Sequence, residues 1–208
     1  MELEIIEREF SVLSGEKEKA ASARGLYRIT DNFFRFWFGF VFSNLSDLES
    51  GDAEGVYTYF VLPQLNEFAA PVFERICRDF IRRRNRENKL PFRAAKIGRW
   101  WGMVSRSETS VNRKVKEISY NSEIDIMAVD KGGKNVLLGE CKFRNSLFSF
   151  GEFTKLKEKY NPDKDVKSVT YFLFSKSGFT QSLKEEADIN KSVILYTLAD
   201  ILQPESRQ

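Results

Sequence analysis

Four charged side chains fall in two short apolar segments. Glu123 and Asp125 lie in Glu123-Ile124-Asp125-Ile126, and Glu140 and Lys142 lie in Gly139-Glu140-Cys141-Lys142. Both segments read as strands, and Lys131-Gly132-Gly133-Lys134 between them reads as a hairpin turn. Side chains two apart share a strand face, so Glu140 and Lys142 point the same way. With the turn centred between the two glycines, paired residues sum to 265, so Asp125 is expected opposite Glu140 and Glu123 opposite Lys142. Opposed residues have Cβ atoms roughly 4.5–5.5 Å apart.

Two carboxylates facing each other among apolar neighbours repel, and burial raises the cost. A hard divalent cation removes that cost. Mg²⁺ takes one or two carboxylates, keeps several waters and uses a substrate phosphate as a further ligand. Asp125 and Glu140 are therefore the expected ligands of Mg²⁺ or Mn²⁺, with the carbonyl of Cys141 within reach. The Cys141 side chain is expected on the other face, in the core. A bound ion of this kind activates water and neutralises charge on a phosphate. Lys142 is placed to orient that water or to stabilise the transition state. The chemistry implied is metal-dependent phosphodiester hydrolysis. The rival is a structural ion-pair cluster, but buried ion pairs are rarely strong stabilisers.

Composition removes other mechanisms. The chain of 208 residues contains no histidine, which excludes Ser-His-Asp and Cys-His nucleophiles and histidine-based metal sites. Two cysteines, Cys77 and Cys141, make neither a disulfide framework nor a four-cysteine zinc site, and fit a reducing compartment. No glycine-rich loop ending in Lys-Ser/Thr is present, so no P-loop is expected. The N-terminus lacks an apolar signal segment. The densest apolar run, Phe33 to Phe42, is too short to cross a bilayer. A cytoplasmic location and no membrane partner are expected.

The elements that must position the four charges follow from periodicity. Residues 1–30 read as a wing-like hairpin around a polar loop, Gly15 to Arg24. Residues 31–90 read as a helical segment. Asp31 or Asn32 caps a helix through Phe33–Phe42, which is apolar nearly all round and is expected to be buried on most sides. Ser43 to Gly55 reads as a loop and Val56 to Phe68 as a helix. Pro71 suits the first turn of a third helix over 71–85. Residues 91–208 read as an α/β core on which that third helix packs. Its strands are expected at Lys96–Val104, Glu123–Val129, Val136–Phe143, Val169–Phe174 and Val193–Tyr196, with helices at Gly151–Tyr160 and Thr180–Ala187. The order β-β-β-α-β-α-β implies a mixed sheet flanked by helices.

Charge is uneven along the chain. Over residues 74–99, ten basic side chains face three acidic ones. Arg82, Arg83, Arg84, Arg86, Lys89, Arg93 and Lys96 are candidates for contacts to a nucleic-acid backbone; the rival reading is a solvated helix end favoured by the helix dipole. Glu74 either pairs with Arg78 at i,i+4 or supports the site. One of Trp100 and Trp101 is expected to pack inward.

Asp125 fifteen positions before Glu140-Cys141-Lys142, on adjacent strands, resembles the PD-(D/E)XK nuclease superfamily. The segment around Phe73-Glu74 resembles that superfamily's helix carrying a further acidic residue. Ile124 stands where the superfamily often has proline. A narrower likeness covers most of residues 4–205. Gly25-Leu26-Tyr27-Arg28-Ile29-Thr30-Asp31-Asn32-Phe33-Phe34-Arg35-Phe36-Trp37, then Gly98-Arg99-Trp100-Trp101, Glu123-Ile124-Asp125-Ile126 and Gly139-Glu140-Cys141-Lys142 resemble the C-terminal domain, domain of unknown function 234, of archaeal-type ATPases. In that family an ATPase module and a winged helix come first. The chain therefore looks like a detached or truncated C-terminal portion, with ATP hydrolysis outside it.

The resemblance implies a restriction-endonuclease-like fold, with Asp125, Glu140 and Lys142 as catalytic residues, assisted by Glu74. DNA is the expected substrate, with RNA as the alternative, and an ATPase module in cis or in trans is the expected associate. A second reading is a catalytically inactive module that binds nucleic acid or the ATPase. A third is a structural domain using the Phe33–Phe42 helix at an interface.

Overall fold

A short hairpin and a helical segment make one compact unit of the computed structural model, residues 1–10 with 14–71, and residues 11–13 with 72–208 make the other. The structure describes residues 5–15, 25–109 and 115–202, and the side chains of 106–109 and 115–118 are not among those described. The polar loop expected over Gly15–Arg24 lies, apart from Gly15, outside the described residues.

In the first unit β1 (Ile6–Glu9) pairs antiparallel with β2 (Leu26–Ile29). Asp31 is the helix cap: its Oδ1 accepts from the backbone amides of Phe33 and Phe34 at 2.7 and 3.1 Å. Helix α1 (Asn32–Phe36) runs into a wide π turn (Trp37–Val41), a tight 3-10 turn (Phe42–Asn44) and α2 (Leu45–Glu49). The pattern then repeats: α3 (Ala53–Val56), a π turn (Tyr57–Val61), a 3-10 turn (Leu62–Gln64) and α4 (Leu65–Arg86). The amides of Asn44 and Gln64 bond the carbonyls of Phe40 and Phe60 in the two π turns, at 2.6 and 3.0 Å.

Three expectations for this region are corrected. The Phe33–Phe42 run is not buried on most sides: Phe33, Phe38 and Phe42 are 65, 51 and 59% exposed, and Phe40 is its buried residue. One stripe, Phe36 and Phe40, meets Phe68 at ring distances of 5.8 and 5.6 Å. The remaining rings stack along the surface on one another, as Phe33 does on Trp37 and Phe34 on Phe38. Most of Ser43–Gly55 is helical rather than loop. Pro71 lies inside α4 rather than opening a new helix. A proline removes one backbone donor and crowds the carbonyl four residues back, and the apolar stripe that continues on both sides of it carries the helix through.

The second unit is built on a five-stranded sheet in the order β3-β4-β5-β6-β7, from β3 (Lys96–Thr109), β4 (Val115–Val129), β5 (Asn135–Lys142), β6 (Ser168–Ser175) and β7 (Val193–Thr197). β3, β4 and β5 are antiparallel neighbours, and β6 and β7 continue in parallel. This is the expected α/β class with the expected order. Strands β3 and β4 run further than expected, through alternating polar positions that form a two-stranded extension, where the hydroxyls of Ser105 and Ser119 meet at 2.9 Å.

Each sheet face buries a separate core. Phe73, Cys77, Phe80 and Ile81 of α4 pack on Ile126, Ala128, Leu137, Phe172 and Phe174. On the other face, Phe153 and Leu156 of α5 (Phe150–Glu158) and Leu183 of α6 (Gln181–Ile189) pack on Met127, Val136, Leu138 and Leu173. Burying a side chain of this size contributes about 1.5–3 kcal/mol, so the alternation of β5 fixes its register between two cores. α5 starts at a capping box in which Ser149 and Glu152 satisfy each other's backbone amides. Ile201 of α7 (Leu198–Leu202) joins the α4 side. Among the described residues no helix is long and apolar enough to cross a membrane.

Candidate functional site

The hairpin of β4 and β5 has the register read from its turn. Val129 pairs with Val136, Ala128 with Leu137, Met127 with Leu138 and Ile126 with Gly139. Gly139 makes the last pair possible, because a Cβ there would stand 2.9 Å from Cβ of Ile126. Regular pairing stops at that point. On its other side, β4 slips against β3: Gly98 pairs with Met127, but Trp100 pairs with Ile124. β4 thus carries one extra residue, a bulge across Asp125 and Ile126. Ile124 and Ile126, two apart, consequently enter opposite cores.

The bulge re-aims Asp125. Its Oδ2 reaches over the end of the ladder and accepts from the backbone N–H of Cys141 at 2.8 Å. That bond ties the carboxylate to the main chain between Glu140 and Lys142. The same bulge overturns the expected Glu123–Lys142 pair. Glu123 lies opposite Trp101 on β3, and its carboxylate is bonded by the guanidinium of Arg99.

Glu140 is 5% exposed and lies on the α5 side of the sheet. Its Oε1 accepts from Nζ of Lys142 at 2.7 Å. A second lysine, which the sequence reading did not single out, completes the site. Nζ of Lys159 bonds Oε1 and Oε2 of Glu140 at 2.9 and 2.8 Å. Lys159 follows the last turn of α5, where a cation is favoured by the helix dipole. Strand β4 anchors that turn: Ser122 and Tyr120 donate hydroxyl bonds to the carbonyls of Lys159 and Glu158, at 3.0 and 2.9 Å. The signal for Lys159 in the sequence was charge balance. Buried Glu140, with Asp125 and Glu74 nearby, needed more positive charge than Lys142 supplies.

Burial pushes the Asp125 carboxyl up to about 7, and the negative charges of Glu140 and then Glu74 push the same way. The Cys141 amide and Lys159 offset part of this. Glu74, on α4, therefore acts on the site through its charge. Burial would lower Lys142, but the adjacent Glu140 carboxylate more than compensates and holds its ammonium above the ordinary lysine range. Lys142 is thus a cation at neutral pH and cannot serve as a general base there. Burial, the neighbouring Cys77 thiol and the nearby carboxylates raise the Cys141 thiol well above its usual range. The thiol packs on the α4 side, as expected, and stays protonated, which leaves its carbonyl as the available donor.

Asp125, Glu140, Cys141 and Lys142 are brought together at one end of β5, with Glu74 close enough to act electrostatically. The basic stretch is not brought to them. Lys96 pairs with Val129 and Val129 with Val136, and four residues of strand then separate Val136 from Glu140, about 13 Å. Several of its side chains have local partners. Arg82 bonds Asp79 at 2.8 Å, and Arg83 and Arg84 lie over the ring of Phe80. Arg84 also covers Tyr196, Lys89 meets Glu87 at 3.4 Å, and Arg93 bonds the carbonyl of Asn85. Trp100 packs inward against Tyr160 and the α5 core.

Among the described residues no three Asp, Glu or Cys side chains converge as a ready set of metal ligands. The donors at hand are two carboxylates and a carbonyl, all hard oxygen, and the burial and then the repulsion that hold Asp125 up are what a cation would offset. That set fits a hard divalent ion, which needs only one or two protein carboxylates.

The model of the domain of unknown function 234 family, described as archaea bacterial proteins of unknown function, matches residues 37–159. An uncharacterized protein of Methanocaldococcus jannaschii, MJECL04, is 33% identical over 179 residues. The match takes in 85% of this chain and 31% of that protein, so the chain spans about a third of its curated relative. Among solved structures, the MspJI restriction endonuclease in complex with a 27-mer oligonucleotide is similar at a TM-score of 0.36 and 12% identity, over 72% of this chain and 31% of that one. A protein of unknown function, AF1548, is similar at 0.32 and 12%, over 65% and 61%. At these scores neither likeness assigns an activity.

Proposed function

We propose, for a chain that belongs to the domain of unknown function 234 family, a metal-dependent nuclease-like role: hydrolysis of phosphodiester bonds in DNA. The observation that carries this reading is the bulge-presented Asp125 beside buried Glu140, with the Lys142 ammonium bonded to Glu140 on the same strand. Asp125, Glu140 and the carbonyl of Cys141 would hold Mg²⁺ or Mn²⁺. When bound, such an ion lowers the pKa of a water and offsets charge on the phosphate.

The chain's own residues do the rest. Asp125 is fixed by the Cys141 amide through Oδ2, and Oδ1 would be the oxygen offered to the ion. Glu140 orients Lys142 by a 2.7 Å bond, and the Lys142 ammonium stabilises negative charge developing on the scissile phosphate. Glu74 adds negative potential, which favours cation binding over an empty pair of repelling carboxylates. Lys142 and Lys159 are the cations bonded to Glu140. They suit phosphates next to the cut. Arg82, Arg83, Arg84, Arg86, Lys89, Arg93 and Lys96, at the far end of β4, would meet only a flanking stretch.

The test is cleavage of plasmid and oligonucleotide DNA, and of RNA, in Mg²⁺ and in Mn²⁺. Asp125→Ala should abolish metal-dependent cleavage while the cooperative melt survives. Retained cleavage would remove Asp125 from the mechanism. A second reading is favoured by one observation: both oxygens of Glu140 are already bonded by lysines. On that reading the domain is an inactive module binding nucleic acid or an ATPase in cis or in trans, and wild-type protein shows no cleavage under any metal.

A further inference from the structure

Glu140 is a nearly buried carboxylate whose oxygens accept three ammonium hydrogen bonds, one from Lys142 and two from Lys159. The two lysines are not equivalent. Lys142 bonds Oε1 alone, from two residues along the same strand. Lys159 spans Oε1 and Oε2 almost symmetrically, at 2.9 and 2.8 Å, which is how a carboxylate embraces a cation. Its backbone is pinned to β4 through Ser122 and Tyr120, while its side chain keeps 31% exposure. A four-carbon stem anchored at its base and wet at its side can swing without moving the fold.

We propose that Lys159 is the resident counter-ion of this site: its ammonium holds both Glu140 oxygens in the metal-free protein, gives them up when a divalent cation binds, and so sets the metal affinity. The proposal rests on the metal reading above. Charge balance supports the exchange. With Asp125, Glu140 and Glu74 all ionised, as metal binding requires of Asp125, Lys142 and Lys159 bring the protein groups to −1. A divalent ion added to both lysines gives +1, whereas its entry with departure of Lys159 gives 0. A compact buried cluster favours the neutral arrangement, because unbalanced charge in a poorly solvated site is costly. Oε2 has Lys159 as its cationic partner, so departure of Lys159 leaves that oxygen to the metal. The released ammonium, on a short tether beside the metal, is then free to meet a phosphate of a bound polyanion.

The experiment is Mn²⁺ titration by calorimetry on the full chain, with no nucleic acid, for wild type, Glu140→Ala, Lys159→Met, Lys159→Arg and the double variant Glu140→Ala/Lys159→Met. Methionine keeps the stem and removes the charge. A charged hydrogen-bonded partner that the metal must displace lowers its apparent affinity by about ten- to a hundredfold, so Lys159→Met should bind Mn²⁺ tighter by that factor. Lys159→Arg should bind no tighter than wild type, and the double variant should lose binding. If Lys159→Met lacks a cooperative melt, Lys159→Gln carries the same expectation. Equal or weaker binding by the methionine variant, with wild-type binding lost in Glu140→Ala, overturns the proposal and leaves the metal reading standing. No binding by wild type or by either neutral variant overturns both, because removing the counter-ion would then have uncovered no site.

Discussion

Replacing Asp125 with asparagine should make the metal-free protein more stable at neutral and alkaline pH. The carboxyl is raised from 3.8 to about 7 by burial and by the charges of Glu140 and Glu74. Between those values the folded state holds a proton that the unfolded state has released, so stability falls as pH rises through this window. Below about 4 both states are protonated and the penalty vanishes. Above about 7 it is complete. A shift of about 3 units corresponds to roughly 4 kcal/mol at 1.36 kcal/mol per unit. Charge sharing with Glu140 and Glu74 and local hydration reduce this, so about 2 kcal/mol is expected at pH 8. Asparagine imitates the protonated acid, and its carbonyl can still accept from the Cys141 amide. Urea unfolding in chelator at pH 4.5 and at pH 8 measures the difference. The variant should exceed wild type by only about a quarter of the full effect, roughly 0.5 kcal/mol, at the lower pH and by about 2 kcal/mol at the higher, with the midpoint displaced and the slope unchanged. No gain at pH 8, or an equal gain at both, would refute the reasoning that Asp125 is held ionised at a cost.

Two further outcomes follow from the same geometry. Mn²⁺ affinity should fall as pH drops below about 7, by up to tenfold per unit, because the metal must displace the Asp125 proton; a flat profile from pH 5.5 to 7.5 would place the proton elsewhere. Gly139→Ala should cost about 1–3 kcal/mol by overpacking, because its Cβ would lie 2.9 Å from Cβ of Ile126; calorimetric melting checks this, and an unchanged midpoint would mean that the hairpin opens there without strain.

The β4–β5 register was legible because a short glycine turn fixes which residues face each other, and the observed pairs obey the sum read from it. The bulge at Asp125 was not. Alternation shows which face a residue takes, but an extra residue relative to a neighbouring strand leaves no mark when Ile124 and Ile126 are equally apolar and feed two different cores. Glu123 was assigned the wrong partner for the same reason. Lys159 escaped because its contact joins a helix end to a strand 19 residues earlier, and the sequence around it reads as an ordinary solvated helix terminus. In the Phe33–Phe42 run, hydrophobicity does not amount to burial. A wide turn and a tight turn follow α1, and only the stripe that meets Phe68 is covered. The density of arginine after α4 was visible, but not that several of these side chains rest on Phe80 and Tyr196.

The central claim is that Asp125 and Glu140 form a divalent-cation site. The most direct measurement is Mn²⁺ binding by calorimetry at pH 7.5, comparing wild type with Glu140→Ala, with a melting curve for each. Saturable binding by wild type that disappears in a folded Glu140→Ala protein is the expected result. Binding that persists unchanged in the variant, or fails in wild type at millimolar Mn²⁺, would contradict the claim.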